Sequence, residues 1–527
     1  MPDFEATAAG EYDLYWADFH KHLTGPDVDL SRLDTAMEYA TEHLDASTVL
    51  CYPFAWFRRG KDPGIREESV GGRPEFEDWW ETVQAVSARH NHPGEFVTFP
   101  AFEWHGNRTR WGDHNVLYVE EGEPLDDTWE LPDLFANLRD RRALAIPHHT
   151  GYATGNRGKD WDEHDPELSP VMEIYSSHGS SEGVGTPLPM ADNPDMGPRT
   201  TGGTFQDALD RGHRVGVVAS NDGPGLPGTW NRGIAGVWAH ELTREGLWEA
   251  LKARRTYGAT GDRMDLWWEV DGAPLGSVVD SPAGTGTAVV DCPQPLDRIE
   301  LVRDGRMVER YTHDRAGGTD PDGVYRVLVE FGWGPTESYG GFDDVEMDWE
   351  GAVRVEGGEL RDVTPRFIGY GQRFDHEDGT TCAFDLRTTR GGQEVTLPEG
   401  DVDRTTQGLI FEVEGDEGTE LRIDLADTDP LVVALGDALD RAHLFPLLEE
   451  SADRVEREFD VTADDMENPD PVYHNARKVK VHHAHPRADC AATATFDLPS
   501  GEGEDYYYVR AAQVDGQFAW SSPVWAA

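Results

Sequence analysis

Between about residues 12 and 262, short apolar runs alternate with stretches of helical periodicity. This constrains the fold more than any other feature of the chain. Ser47–Cys51, Phe96–Pro100, His114–Tyr118, Ala143–Pro147, Val171–Tyr175 and Val215–Ala219 read as buried strands. Between them, Leu30–His43, Glu75–His90, Leu131–Arg142, Thr204–Arg211 and Arg244–Arg254 read as helices; in the first, Leu30, Leu33, Met37 and Ala40 share one face. Strands alternating with helices predict a parallel sheet with helices outside it, open or closed into a barrel.

The polar residues fall at matching places. Glu103 follows the third run counted from a first strand at Tyr15–Asp18, His148 and His149 follow Ala143–Pro147, His178 follows Val171–Tyr175, and Asp222 follows Val215–Ser220. In α/β barrels the C-terminal ends of the strands share one face, where active sites are built. Near the start, Tyr15–His22 ends in His20-Lys21-His22. Residues i and i+2 of an extended strand point to the same side, so these imidazoles aim at one point. Histidine is the commonest metal ligand. Thirteen of the 20 histidines lie in this half, and their recurrence at strand ends favours a metal site over solvated side chains. His105 and His164 read as loop histidines.

Composition narrows the function. There are 101 Asp and Glu against 46 Lys and Arg, a formal net charge of −55. Disordered acidic segments lack aromatics, whereas this chain has 17 Trp, 16 Tyr and 20 Phe, so it folds. Acid spread over a folded surface reads as adaptation to high salt, which screens self-repulsion. The lack of a basic patch argues against nucleic acid as a partner. The 527 residues exceed one domain. The four cysteines, Cys51, Cys292, Cys382 and Cys490, show neither disulfide-framework nor zinc-ribbon spacing. Met1–Glu5 has no signal-peptide character, and no apolar run approaches ~18 residues. A soluble cytoplasmic protein, with no membrane contact, is the expectation.

After Arg263 the pattern changes to alternating strands and Gly/Asp/Pro turns, as in a β-sandwich. The expected division is an α/β barrel over 1–263, a β-sandwich from 264–345 with 472–527, and an inserted β-rich segment with a helix over 346–471. His483 and His485 repeat the His-x-His spacing, but without companion ligands they read as an exposed strand.

Several stretches together resemble the PHP (polymerase and histidinol phosphatase) superfamily of metal-dependent phosphoesterase-like proteins, in particular an uncharacterised branch with a C-terminal β-rich part. They are Trp16–His22, Phe99–Trp104, His114–Tyr118, Ile146–His149, Met172–Glu182, Val217–Gly223, Ala250–Gly261 and Trp520–Pro523. The resemblance implies an α/β plus β fold, with a distorted (β/α)7 TIM-like barrel followed by β-sandwich domains. It implies one to three divalent ions, Zn, Mn or Fe. Their ligands would be His20, His22, Glu103 as a bridging carboxylate, His114, His148, His178 and Asp222. His149 would be the catalytic proton donor, and Arg157 and Arg199 would either hold an anion or pair with acids. Two family histidines are missing: Cys51-Tyr52-Pro53 stands where an acid–His pair is usual, and Asp222-Gly223-Pro224 replaces Asp-x-His. Cys51 would be a soft substitute ligand, and Asp27 or Asp29 an additional acid. The implied activity is a metal-dependent hydrolase acting on a small anionic substrate, a phosphoesterase first. A non-catalytic binding module and an amidohydrolase-like C–N hydrolase are the alternatives.

Overall fold

Ala46–Cys51 is buried from end to end, as a strand covered on both faces must be. In the computed structural model it is the middle of three parallel strands, β1 (Asp13–Asp18), β2 (Ala46–Cys51) and β3 (Val97–Trp104). The structure describes residues 4–23, 32–65, 72–190, 195–223, 226–230, 232–280, 284–315, 320, 322–334, 346–369, 371–376, 378–389, 406–426, 428–462, 465–498 and 504–526. Asp27, Asp29, Leu30 and Pro224 lie outside them.

Helices α1 (Arg32–His43), α2 (Phe54–Arg58) and α3 (Arg73–His90) fall between these strands. In α3 the residues Phe76, Trp80, Val83 and Ser87 are buried, a stripe at helical spacing. After β3 the next two strands run antiparallel. The chain turns back through α4 (Arg108–Trp111), four residues long, into β4 (Asp113–Tyr118), which is antiparallel to β3. A parallel return needs a crossover of a dozen or more residues. α5 (Leu131–Leu138) then leads to β5 (Ala143–His148), antiparallel to β4. β6 (Val171–Ser176), β7 (Gly179–Ser180) and β8 (Gly216–Ala219) form a separate sheet in the order β7-β6-β8, with α6 (Phe205–Asp210) before β8.

Two further strands pair on the other side of β1: β9 (Ile234–Ala239), antiparallel to it, and β10 (Thr256–Ala259), antiparallel to β9. They flank α7 (Arg244–Ala253), capped by the Thr243 hydroxyl accepting from Gly246 N at 2.9 Å. The chain is therefore mixed α/β here, with parallel pairing limited to β1-β2-β3 and β6-β8. The core of the main sheet gathers Phe19, Leu50, Phe99, Ile146, Val237 and Leu247. Each such side chain contributes about 1.5–3 kcal/mol by burial.

The end of the chain returns to this half. Phe518–Ser521 pairs antiparallel with β10, and Asp505–Gln513 and Val524–Ala526 extend the same sheet. Asp265–Val270, Thr285–Asp291 and Ala491–Asp497 form a second antiparallel sheet. Residues 1–292, 296–313 and 491–527 make one compact unit, and 293–295 with 314–490 make the other. The second unit is a β-sandwich: Phe331 and Phe411 from one sheet share a core with Trp349 and Phe384 from the other. Its boundaries differ from the sequence-based division. Val324–Gly332 and Lys478–Val481, expected in the sandwich closed by the chain end, pair instead with each other, and Val324–Gly332 pairs with Thr406–Glu414 of the expected insertion.

All four cysteines are buried, and none of them forms a disulfide. Among the described residues no helix is long and apolar enough to cross a membrane.

Candidate metal centre

β1 delivers the paired histidines. Asp18, at its end, accepts from the backbone N–H of His20 (3.1 Å), of Asn221 (3.2 Å) and of Gly228 (3.2 Å). The loops then zip together: Asp222 N donates to His20 O at 2.8 Å and His22 N to Gly223 O at 3.2 Å. This brings Asp222 against both imidazoles, 202 and 200 positions away in sequence.

The resulting cluster is buried and dense. His20 Nε2 and His22 Nε2 lie 3.3 Å apart. Glu103 Oε2 is 3.5 Å from the first and 3.0 Å from the second, and Asp222 Oδ1 is 3.3 and 3.4 Å from them. The other oxygens face further rings. Glu103 Oε1 is 3.4 Å from His148 Nε2, and Asp222 Oδ2 is 3.3 Å from His178 Nε2. Each carboxylate thus touches two groups of imidazoles, the arrangement of a bridging ligand. Ligand atoms fall within 4.8 Å of one another in four sets: His20, His148, Glu173 and Asp222; His20, His22 and Glu103; His149, His178 and Asp222; Glu103, His105 and Asp113.

The sequence-based ligands His20, His22, Glu103, His148, His178 and Asp222 are all in these sets, and His149 joins one of them. His114, expected as a ligand, is in none of these sets, whereas its neighbour Asp113 is in one. Register gives the reason. Across the antiparallel ladders His114 stands opposite Trp104 and Pro147, whereas Asn115 stands opposite Glu103 and Asp113 opposite His148. Directly opposite residues share a face, and a shift of one residue changes face. Asp113 therefore points to the cluster, and the His114 ring packs on Trp104 and Phe135, with centroids 5.9 and 6.1 Å away.

Two more residues were missed. Glu173, inside β6, meets His20 Nδ1 at 2.9 Å, which fixes the tautomer and turns Nε2 toward the other ligands. His105 is buried beside Glu103 and Asp113 rather than in an open loop. Glu103-x-His105 had the same same-face spacing as His20-x-His22. His164 does lie apart, against Trp161 and His213. Cys51 is buried but belongs to none of the sets, and the Tyr52 ring beside it covers His22 at 4.2 Å.

The electrostatics suit a cation. Burial resists ionisation of Glu103, but His105 and His22 hold its carboxyl well below the usual range. Burial likewise opposes the charged Asp222, and His20 and His178 outweigh it. Burial, then His148 and Arg157, holds His149 well below an ordinary imidazole. Lys21, between the paired histidines, is pushed down to about 7 by burial, against the pull of Asp18. Glu103 Oε2, His105 Nε2 and both ring nitrogens of His148 have no hydrogen-bond partner despite full burial. Glu103 Oε2 is close to imidazole nitrogens but outside hydrogen-bond geometry. Buried nitrogens and oxygens that face one another without hydrogen bonds fit bound ions, and this donor set suits a divalent metal ion.

At the edge, Arg157 donates to Asp113 Oδ2 at 2.8 Å and contacts His149 Nε2 at 3.1 Å. Arg199 instead donates to the carbonyls of Ser180 and Thr186, both at 2.6 Å, and braces a loop. His149, Arg157 and Asp222 all have positive φ, 34°, 81° and 50°. Such backbone cost concentrates at functional sites.

Comparison with known proteins adds little chemistry. Residues 225–268, spanning β9, α7 and β10, match a family described as a protein of unknown function (DUF3604). An uncharacterized protein of Chlamydia pneumoniae is 26% identical over 263 residues, covering 45% of this chain and 41% of its own. One from Chlamydia trachomatis is 25% identical over 257 residues, covering 44% and 41%. The chain spans about two fifths of the length of these curated relatives. Among solved structures, a two-domain protein from Bacteroides vulgatus containing a predicted PHP-like metal-dependent phosphoesterase aligns over 80% of this chain and 96% of its own. The identity is 11% and the TM-score 0.31, too loose a match to carry residue roles across.

Proposed function

We propose that this chain is a metal-dependent hydrolase, a phosphoesterase of the PHP-like kind. The observation that carries the reading is the pair of buried carboxylates, Glu103 and Asp222, each set between two groups of imidazoles. His20, His22, His148, His178, Glu103 and Asp222 would hold the ions, with His105 and Asp113 as further donors. Bound there, divalent cations supply Lewis acidity toward a phosphoryl oxygen and lower the pKa of water that reaches them.

The chain's own residues do the rest. Glu173 orients His20, and the Tyr152 hydroxyl orients His178 through Nδ1 at 2.7 Å. Arg157, with a fifth of its side chain exposed at the site's edge, attracts and orients an anionic ester. His149 lies between the rings of His148 and His178, and its lowered basicity keeps it a neutral imidazole that would take up a proton or hold an ion rather than deliver the proton expected of it from the sequence. The net charge of −55 argues against nucleic acid as substrate and in favour of concentrated salt as the medium.

One observation favours a second reading. Tyr52 covers His22 where the family places an acid–His pair, which leaves fewer donors at that end and fits a metal-binding module without catalysis. The test is metal content after purification in concentrated KCl, with turnover of p-nitrophenyl phosphate and its diester in added Mn or Zn. Two or more ions per chain, with turnover lost in His20→Ala, support the enzyme. Metal without turnover of esters or of a C–N substrate panel supports the module. Less than one ion per chain overturns both.

A further inference from the structure

The loop that carries His178 is anchored by the end of the chain. Glu182, four residues further on, is fully buried. Its carboxylate accepts four hydrogen bonds, all from the C-terminal strands. The Tyr508 hydroxyl donates at 2.7 Å, Arg510 Nη1 at 2.9 and 2.8 Å to the two oxygens, and Trp520 Nε1 at 2.9 Å. Arg510 is itself fixed, its Nε donating to Glu300 at 2.7 Å. Charge-assisted bonds of this kind are strong and directional.

The backbone beside Glu182 leads straight to the candidate centre. Ser181 N donates to Ile174 O at 2.7 Å, next to Glu173. Ser181 Oγ accepts from Gly151 N at 3.2 Å, two residues past His149. The chain end also holds the strand leading to Asp222, because Ser522 Oγ accepts from Val217 N at 2.9 Å. A buried pair that only joined two strands would lie on strands. Glu182 lies on the loop between a donor histidine and α6.

We propose that Glu182 is a positioning residue of the metal centre: through it the C-terminal strands set the placement of His178 and His149, and the part of the centre made by His149, His178 and Asp222 forms only when they are docked. This rests on the metal-binding reading. It does not require that the protein be an enzyme.

The test is titration of the apo-protein with Co2+ in concentrated KCl, reading stoichiometry and the visible cobalt spectrum. The variants are Glu182→Gln, Trp520→Phe, which removes a single bond should the first fail to fold, and Tyr506→Phe. The last loses the Tyr506–Asp210 hydrogen bond between α6 and the same C-terminal strand, away from the loop. Glu182→Gln is expected to weaken one Co2+ by about 10–100-fold, the usual cost of losing an orienting partner, with uptake at His20, His22 and Glu103 retained. Trp520→Phe gives a smaller shift of the same kind, and Tyr506→Phe leaves spectrum and stoichiometry unchanged. If Glu182→Gln and Trp520→Phe bind Co2+ as wild type does and only melt earlier, the proposal is overturned while the metal reading stands. If wild type takes up no Co2+, the metal reading itself falls.

Discussion

The chain carries His-x-His twice, and the two copies have different surroundings. His20 and His22 bring Nε2 atoms to 3.3 Å, and His483 and His485 bring Nδ1 atoms to 3.4 Å. Spacing does the same work in both. At the first pair, Glu103 and Asp222 arrive from distant strands and are buried with the imidazoles. At the second, where His483 is exposed and His485 partly buried, the neighbouring carboxylate Glu330 is taken by His482 at 2.5 Å. Among the described residues no set of three close donors includes His483 or His485. A two-residue spacing aims imidazoles, but buried anions that neutralise a cation's charge make a site.

The largest effects should separate these pairs. His20→Ala is expected to lose bound metal and to reduce turnover by more than the ~10–100-fold that loss of an orienting partner costs. The double variant His483→Ala, His485→Ala is expected to keep both. Elemental analysis and ester turnover on the two proteins decide it. A double variant as depleted of metal as His20→Ala would erase the distinction.

Much of the first half was legible because its strands and helices obey simple periods. β9 and β10 were not, and their glycines explain it. A Cβ at Gly236 would come within 2.1 Å of the Tyr257 ring, and one at Gly258 within 2.9 Å of Ala219 and Ile174. Close packing demands glycine there, and glycine makes a short run look like a turn. The site was legible where donors follow strand ends. It was not legible where an acid sits inside an apolar run, as Glu173 does, since its partner His20 lies 153 residues away. That His114 faces away from the cluster was not legible because the direction of β4 cannot be read from the run itself. An intermediate effect tests that register. Asp113→Asn weakens the anchor of Arg157 and Arg108, and breaking a buried pair of this kind costs roughly 3–5 kcal/mol. Its denaturation midpoint should fall accordingly, whereas His114→Gln should keep wild-type metal content. Metal lost from His114→Gln alone would reverse the assignment.

The smallest effect concerns protons. His485 is pushed down to about 4, first by burial and then by His483, Arg315 and His482. His20 and His22 move the other way, because their carboxylates outweigh burial. For His485 the folded pKa lies below the unfolded value of about 6.5. Between those values the unfolded chain binds more protons, so stability falls as pH drops from about 6.5 toward 4 and is level above that window. Guanidinium chloride midpoints at about pH 5 and about pH 7.5 should therefore differ less in His485→Gln than in wild type. His483→Gln, which removes one neighbouring charge, should give a difference between the two. An unchanged pH difference in His485→Gln would mean that this second pair is insulated from folding as well as from metal, and that the contrast with His20 and His22 extends to protons only on their side.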